Sequence, residues 1–411
     1  MNFKKIALAL LLIVPFNFFA DDLSQDLGGK QEDPDIDALK KWVREKRMVS
    51  VKEIGGDLSI SGEVRMEMQG INEQRNGIKQ RGRGSVTTKP AYAWDIDVSL
   101  MLDYRTERTW SSVKIQYDND MGTANGTTNR IAVTRAYLGG RAVSTESFSM
   151  DIDCGRRNLG SVFDSKLEFS SVLDGAVILL SKAYESIGDF YFSGAGFLVN
   201  DRYNHYAYAA ELGFLRIANT GFYLKTSFVD WKKNFENEIE TLRYNFRILQ
   251  GIVGYQFTPV NFEKLIKLYF GALCNFSADK IEITDYTKAN LGFYTGFSIG
   301  KVLKQGDWAF SMDFQYAQAQ AVPDFDCGGI KRGNAQGVGF YTTNINGTGD
   351  PTTRQTAVGG CNYLGFQADF FYAITNTLTL LYKFKLSNTL DKDIGPNLKY
   401  RQFEMKFIYA F

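Results

Sequence analysis

The chain of 411 residues carries 47 Lys and Arg against 46 Asp and Glu, so its formal net charge of +1 offers no broad basic field for nucleic acid. Its 32 Phe, 22 Tyr and 39 Gly beside only 7 Pro are typical of strands and turns. The mean hydropathy is slightly negative, which excludes a bundle of membrane-spanning helices.

Residues 1–20 have the pattern of a secretory signal peptide. Lys4 and Lys5 give a basic start, residues 6–14 are apolar, and Ala20 offers a cleavage point before Asp21. An apolar run of about a dozen residues is short for a bilayer-spanning helix, and no other run approaches the roughly 20 residues that such a helix needs. An exported chain of this kind is periplasmic, secreted or an outer-membrane barrel.

Residues 21–57 are predicted to be a polar periplasmic segment with one short helix. Asp33 and Pro34 read as a helix N-cap followed by proline at the first helical position. The apolar stripe of this helix consists of Ile36, Leu39, Trp42 and Val43. We interpret the helix as a cap at the mouth of a barrel; the alternative is a trimerising or cell-wall-binding element.

From residue 58 to residue 411, large apolar side chains alternate with polar ones, as successive residues of a strand do. In the first stretch Leu58, Ile60, Val64, Met66 and Met68 share one face, and Ser59, Ser61, Glu63, Arg65, Glu67 and Gln69 share the other. Such a stretch of about a dozen residues matches a tilted strand that crosses a bilayer with one face to lipid and one to a wet lumen.

The same period of two recurs along the whole region. Further stretches lie at 94–105, 111–118, 131–141, 147–154, 174–182, 189–199, 206–215, 221–229, 242–257, 266–276, 290–300, 308–318, 363–373, 377–386 and 402–411. This gives about 16 strands, an even number as bacterial barrels have. The connections alternate between long and short, with 319–362 the longest and 200–205 the one short exception among the long ones. The fold class predicted is therefore all-β, an antiparallel up-and-down transmembrane barrel forming one domain.

One passage within this pattern resembles a known family. Cys154-Gly155-Arg156-Arg157, Gly160, Phe163-Asp164-Ser165 and Asp174-Gly175 are similar to the "GR…G…FDS…DG" passage of porins. Together with the strand pattern, the chain resembles a 16-stranded general porin of the Gram-negative outer membrane. It departs from that pattern in its long connection at 319–362 and in having cysteines on strands.

The resemblance implies a pore constriction. In general porins the connection after the fifth strand folds inward, which here would bring Asp164, Lys166 and Glu168 towards the lumen. The opposite wall would supply the lumen-facing cations Arg65, Arg105, Lys114 and Arg135. Opposed rows of carboxylates and cations would set up a transverse field that discriminates solutes by charge. The alternative is that these are ordinary lumen charges solvated by pore water.

The four cysteines belong to an exported chain, so oxidation is expected. Cys327 and Cys361 stand at the two ends of the longest connection, and a bridge between them would close a loop of about 35 residues, worth roughly 3–4 kcal/mol. Cys154 and Cys274 are predicted to be free thiols on the apolar face, with intermolecular bridging as the alternative. No metal site is expected, since the chain has no CxxC pair and one histidine.

That histidine, His205, is predicted to lie in a surface loop, and no G-x-S-x-G motif accompanies it. We therefore expect that the chain is not an enzyme and that it binds no cofactor.

The last strand carries alternating aromatic residues and resembles the assembly signal of outer-membrane barrels. Its aromatic members are Phe403, Phe407, Tyr409 and Phe411. The sequence thus predicts an outer-membrane porin for passive diffusion of small hydrophilic solutes or ions. We expect a homotrimer in contact with outer-membrane lipid and the barrel assembly machinery, and no nucleic acid partner. The alternative function is a structural or adhesive barrel whose long extracellular loop binds a partner.

Overall fold

A computed structural model gives the architecture of the chain. It describes residues 49–53, 56–87, 89–121, 130–200, 205–231, 246–280, 286–323, 325–330, 360–392 and 397–411. The predicted signal peptide and the predicted periplasmic helix lie outside these residues. Within the described part, no helix is long and apolar enough to cross a membrane.

Eighteen strands are present among the described residues, all paired in an antiparallel manner in one sheet. They are β1 (Val49–Glu53), β2 (Gly56–Arg75), β3 (Ile78–Lys79), β4 (Tyr92–Arg105), β5 (Thr109–Asp120), β6 (Arg130–Ser144), β7 (Phe148–Asn158), β8 (Val172–Tyr184), β9 (Gly188–Asn200), β10 (His205–Leu215), β11 (Phe222–Trp231), β12 (Phe246–Phe257), β13 (Ile266–Asn275), β14 (Leu291–Gly300), β15 (Trp308–Ala317), β16 (Tyr363–Ala373), β17 (Leu378–Thr389) and β18 (Leu398–Ala410).

Sixteen of these strands form a closed barrel in which each pairs with its neighbours in the chain, and β18 pairs with β2 to close the ring. All sixteen coincide with stretches predicted from the sequence, so the prediction of an up-and-down 16-stranded barrel is confirmed. The two short strands β1 and β3 were not predicted. β1 pairs with the first residues of β2, and β3 pairs with its last two.

The two faces of the sheet differ as predicted. Outward positions carry exposed apolar side chains such as Leu249 and Phe370, because a barrel in a membrane meets lipid there. Inward positions of the same strands carry polar or buried residues, among them Gln250 and Asp369. The inward residues Phe371 and Leu381 lie in a small apolar cluster at the short-turn end of β15–β18.

The seam between the last and first strands is closed by the final residue. The Phe411 amide donates to the Gly62 carbonyl, and the Gly62 amide donates to the Phe411 carbonyl, both at 2.9 Å. The Phe411 ring lies against Gly62, where a Cβ would come within 2.5 Å of it. A glycine is therefore required at position 62 for the terminal ring to take this place.

The position of His205 differs from the one predicted from the sequence. It does not lie in a surface loop; it is the first residue of β10 and is only 3% exposed. The connection before it is so short that the strand already begins at this residue.

Candidate functional site: the lumen and its inward loop

The connection between β7 and β8, residues 159–171, turns into the lumen, and we call it the inward loop. It begins with a 3₁₀ turn over Leu159–Ser161, capped by the Asn158 side chain, which accepts from the Gly160 amide at 2.9 Å. The Leu159 amide donates to the Ser171 carbonyl at 2.9 Å, which ties the two ends of the loop together. The loop therefore leaves and re-enters the barrel wall at one point.

Inward side chains of β10, β11 and β12 hold the middle of this loop. Lys225 Nζ lies 2.7 Å from Asp164 Oδ2, and the Asp164 amide donates to Glu211 Oε2 at 2.8 Å. Gln250 donates from Nε2 to the Asp164 carbonyl at 2.8 Å and accepts from Ser165 Oγ at 2.7 Å. The loop is thus fixed against one wall of the barrel by polar contacts from three strands.

Apolar contacts attach the loop to the same wall. Phe163 and Phe169 pack ring to ring at 5.1 Å and are at most 2% exposed. They belong to a buried cluster with Leu167 and with the inward side chains Trp231 and Ile248. Full burial of side chains of this size contributes about 1.5–3 kcal/mol each. This part of the lumen is therefore a packed core.

A second segment after β15, described at residues 318–323 and 325–330 and here called the 318–330 segment, packs on the inward loop. Asp326 accepts from the Phe169 and Ser171 amides, both at 2.9 Å, through its two carboxylate oxygens. The Gly328 amide donates to the Leu167 carbonyl at 2.8 Å. The sequence analysis did not identify Asp326 or this second segment as part of the site.

Glu168 lies within this packed region. It is 3% exposed, and its Oε2 atom has no hydrogen-bond partner among the described residues. Burial raises the pKa of the Glu168 carboxyl well above its ordinary range, and the nearby Asp326 and Glu211 carboxylates raise it further. The surroundings of Glu168 therefore favour its neutral form over the charged one.

Lys166 is the remaining charge that was predicted on this loop. Its ammonium lies 5.7 Å from the centre of the Tyr269 ring on β13, within cation–π range. The inward residue Asp313 of β15 also interacts with it electrostatically. Asp164 is thus bridged to Lys225, the surroundings of Glu168 disfavour its charged form, and Lys166 remains as a cation on the loop.

The opposite wall carries cations and carboxylates side by side. Glu63 Oε1 lies 2.7 Å from Arg65 and 3.6 Å from Lys114, and Ser99 donates to it at 3.1 Å. Arg135 pairs with Lys114 across β5 and β6 and donates to Met101 Sδ at 3.7 Å. The structure thus brings together Arg65, Lys114 and Arg135. It places Arg105 apart from them, at the short-turn end of β4, over the Trp110 ring.

Carboxylates on β2, β4 and β5 form two rows at this wall. Glu67 pairs with Asp95, which pairs with Asp120, and in the next row Asp97 stands between Asp118 and Arg65, whose guanidinium lies 4.0 Å from it. Like charges directly across strands repel one another, so these rows make this part of the lumen wall negative. Lys406 on β18, 2.7 Å from Glu67, borders the rows on one side.

The cysteines fall into two pairs by position. Cys327 and Cys361 are buried, and their sulfur atoms lie 3.7 Å apart as thiols. Cys154 on β7 and Cys274 on β13 are free thiols at outward positions of strands that are not neighbours. Among the described residues, no group of three or more His, Cys, Asp or Glu could hold a metal ion.

The comparisons with known proteins agree with this architecture. Scans against protein-family models and against curated proteins find no match. Among solved structures, the chain is similar to OmpF of Salmonella typhi in complex with daunomycin, at 12% identity and a TM-score of 0.50, over 88% of this chain and 100% of that one. It is also similar to the high-pH structure of OprB of Pseudomonas putida, at 10% identity and a TM-score of 0.51, and the match covers 87% of this chain and 94% of that one. The chain thus has the fold of the porins.

Proposed function

We propose that this chain is an outer-membrane porin through which small hydrophilic solutes or ions diffuse passively. The observation that carries the proposal is the lumen itself: a closed barrel with an apolar exterior has inward charges along one wall and a folded loop along the other. Charged side chains line a space at membrane depth where they are hydrated, so a water-filled passage explains their presence. No chemical step is involved, because width and charge alone set the rate of passage.

The proposed constriction lies between the inward loop and the wall formed by β2, β4, β5 and β6. Asp164, Lys166 and Glu168 are its loop side, and Arg65, Lys114 and Arg135 are its wall side. Lys225 is paired with Asp164 and burial disfavours the charged form of Glu168, so the negative part of the field at the constriction comes mainly from the wall. The carboxylate rows on that wall favour a preference for cations at the end of the pore where the long connections lie.

Conductance of the purified full chain in a planar bilayer tests this function. We expect discrete, ohmic current steps and a reversal potential that indicates cation preference in a salt gradient. Asp95→Asn and Asp118→Asn should lower that preference, and Arg105→Gln, which lies outside the group, should not. A protein that inserts as a folded barrel and passes no current would refute the channel and favour a structural or adhesive role.

Export and assembly belong to the same proposal. Residues 1–20 would direct the chain into the periplasm and then be removed, and the barrel assembly machinery would recognise Phe403, Phe407, Tyr409 and Phe411. The outward placement of the first three, and of the Phe411 ring against Gly62, supports a recognition surface at the closing seam. Mass spectrometry of the mature N-terminus and surface levels of a Phe411 deletion test the two parts separately.

We also propose that the porin is a trimer, on the evidence of its outward face. From β11 to β18, phenylalanines stand at mid-strand outward positions, among them Phe228, Phe270 and Phe314. From β2 to β8 the mid-strand positions are aliphatic or small, for example Ala136 and Ala176. Small residues let protein surfaces approach closely within a membrane, so this sector is the expected contact between copies. Cross-linking from Ala136→Cys, with Phe270→Cys as control, should give trimers only in the first case.

A disulfide between Cys327 and Cys361 is the last part of the proposal. Their sulfur atoms, 3.7 Å apart, need to move by less than 2 Å to reach the roughly 2.05 Å of an S–S bond. Peptide mapping without reductant, on protein from intact outer membranes, should recover both residues in one linked fragment.

A further inference from the structure

The segment after β15 is built into the lumen rather than over it. Ala319 and Ala321 are fully buried, and Val322 is 1% exposed. The Phe325 ring packs edge to face on the inward Trp231 ring of β11, with centroids 4.9 Å apart. At its far end the Ile330 amide donates to Gln315 Oε1 on β15 at 2.9 Å. The described residues of this 318–330 segment therefore leave β15, contact the wall that holds the inward loop, and return to β15.

Its contact with the inward loop is made mainly of hydrogen bonds to the backbone of the loop. The Asp326 carboxylate accepts from two loop amides, the Ser170 amide donates to the Asp326 carbonyl at 3.3 Å, and the Gly328 amide donates to the Leu167 carbonyl. Hydrogen bonds from amides to a carboxylate are stronger than neutral ones. Because these bonds act on the main chain, they fix the path of the inward loop whatever its side chains do.

Cys327 connects this contact to the barrel wall. It directly follows Asp326, and its sulfur lies beside that of Cys361, two residues before β16 begins. Cys361 also donates from Sγ to the Val322 carbonyl at 3.1 Å. A bond between the sulfurs would tie the residue next to Asp326 to the start of β16.

We propose that the 318–330 segment is a clasp that positions the inward loop through Asp326, and that the Cys327–Cys361 pair is its redox latch. This rests on the proposed channel function and adds regulation to the same pore. With the latch closed, Asp326 is held at the Phe169 and Ser171 amides, and the inward loop keeps one position. With the latch open, the clasp can leave the loop, and the width of the pore fluctuates.

The latch closes by thiol–disulfide exchange with a disulfide-bonded oxidant, such as a periplasmic dithiol oxidase. A thiolate of the pair attacks the oxidant disulfide, a mixed disulfide forms, and the second thiolate displaces the oxidant sulfur. One S–S bond forms between Cys327 and Cys361 as one breaks in the oxidant. The pair loses two protons and two electrons, and the oxidant gains both as two thiols.

The test uses the full chain in a Cys154→Ser, Cys274→Ser background, so that no other thiol reacts. Single-channel current is recorded after treatment with oxidised glutathione and again after dithiothreitol, with mass spectrometry to count bridges. We expect a steady open current in the oxidised protein and increased open-channel noise after reduction. Adding Cys361→Ser should give the noisy current under both conditions, and Asp326→Ala should give it even when oxidised. Asp326→Glu should restore a steady current in part.

Hydrogen exchange in residues 159–171 supplies a readout that does not depend on conductance. Faster exchange after reduction and in Asp326→Ala supports the clasp even if no current is found, in which case only the channel function fails. The clasp is overturned if Asp326→Ala leaves both exchange and current noise unchanged. The latch is overturned if no bridge forms with oxidised glutathione, or if breaking the bridge changes neither measurement.

Discussion

The ion pair between Asp164 and Lys225 makes a quantitative prediction about the inward loop. Each side chain is 14% exposed, and their charged atoms lie 2.7 Å apart. At an effective dielectric of about 20, two unit charges at that distance attract by about 6 kcal/mol before desolvation is subtracted. Removing one partner takes the nearest counter-charge from the other, and for a buried pair this costs up to about 3–5 kcal/mol.

We therefore expect Lys225→Met and Asp164→Asn each to release the loop from the wall while leaving the barrel folded. The double variant should lose much less than the sum of the two, because neither charge is then stranded. Lys383→Met is the matched control: Lys383 also faces the lumen, 3.9 Å from Asp369, on β17, a strand that does not hold the loop.

Hydrogen exchange of the loop amides measures the effect, because the Leu159 and Phe169 amides are bonded only while the loop is in place. A loss of about 3 kcal/mol corresponds to roughly a hundredfold faster exchange at these amides. If the two single variants were strictly additive in the double variant, the pair would contribute no coupling and the placement of Asp164 against Lys225 would be wrong.

Three other perturbations have defined outcomes. The pKa of the Glu168 carboxyl is raised in the folded loop. The contribution of Glu168 to the stability of the inward loop is therefore complete below the ordinary carboxyl pKa and is lost as pH rises through the raised value. Conductance should then increase in alkaline solution, and Glu168→Gln should abolish that increase. Phe297→Arg, on the lipid face of β14, should cost about 2–4 kcal/mol in an unfolding titration, whereas Ser298→Arg on the lumen face should still fold; the opposite result would mean a shifted register. Gly62→Val should displace the Phe411 ring and remove the heat-modifiable gel mobility of the closed barrel; normal mobility would show that the ring does not contribute to closure.

The barrel could be predicted because every strand meets the same two environments, lipid on one face and water on the other. Apolar and polar residues therefore alternate within each strand, as Phe403 and Glu404 do, and the alternation can be read from the residues of that strand alone. β1 escaped prediction because it lies in the first, mostly polar part of the chain before the regular alternation begins. Its strand character comes from pairing with β2 rather than from its own pattern.

The partners of the inward loop could not be predicted in the same way. Asp164 is bonded to Lys225 and to Gln250, which lie on other strands far along the sequence, and Asp326, which accepts from the Phe169 amide, lies in the connection after β15. No periodicity links these residues. The available signal was that Lys225 and Glu211 occupy inward positions of β11 and β10, but only the path of the loop decides which inward charges it meets.

For Glu168 the sequence suggested an open carboxylate, and the structure shows why that inference fails. Its neighbours Leu167 and Phe169 are buried, and they draw the residue between them into the packed region. A charge pattern along a loop therefore does not predict a charged surface unless the packing of the adjacent residues is known.

The short strand β1 has a consequence for how the ring can close. It covers the edge of β2 from Gly56 to Ile60, and β18 covers the same edge from Glu63 onwards. Sliding β18 by two residues towards the short-turn end would preserve which side chains face lipid, so the alternation of faces alone does not forbid it. With β1 in place that slide is blocked, because the hydrogen-bonding groups of Gly56 to Ile60 are already taken. β1 thus limits how far β18 can slide along β2. It selects one register among several that would place the same side chains towards the lumen and towards lipid.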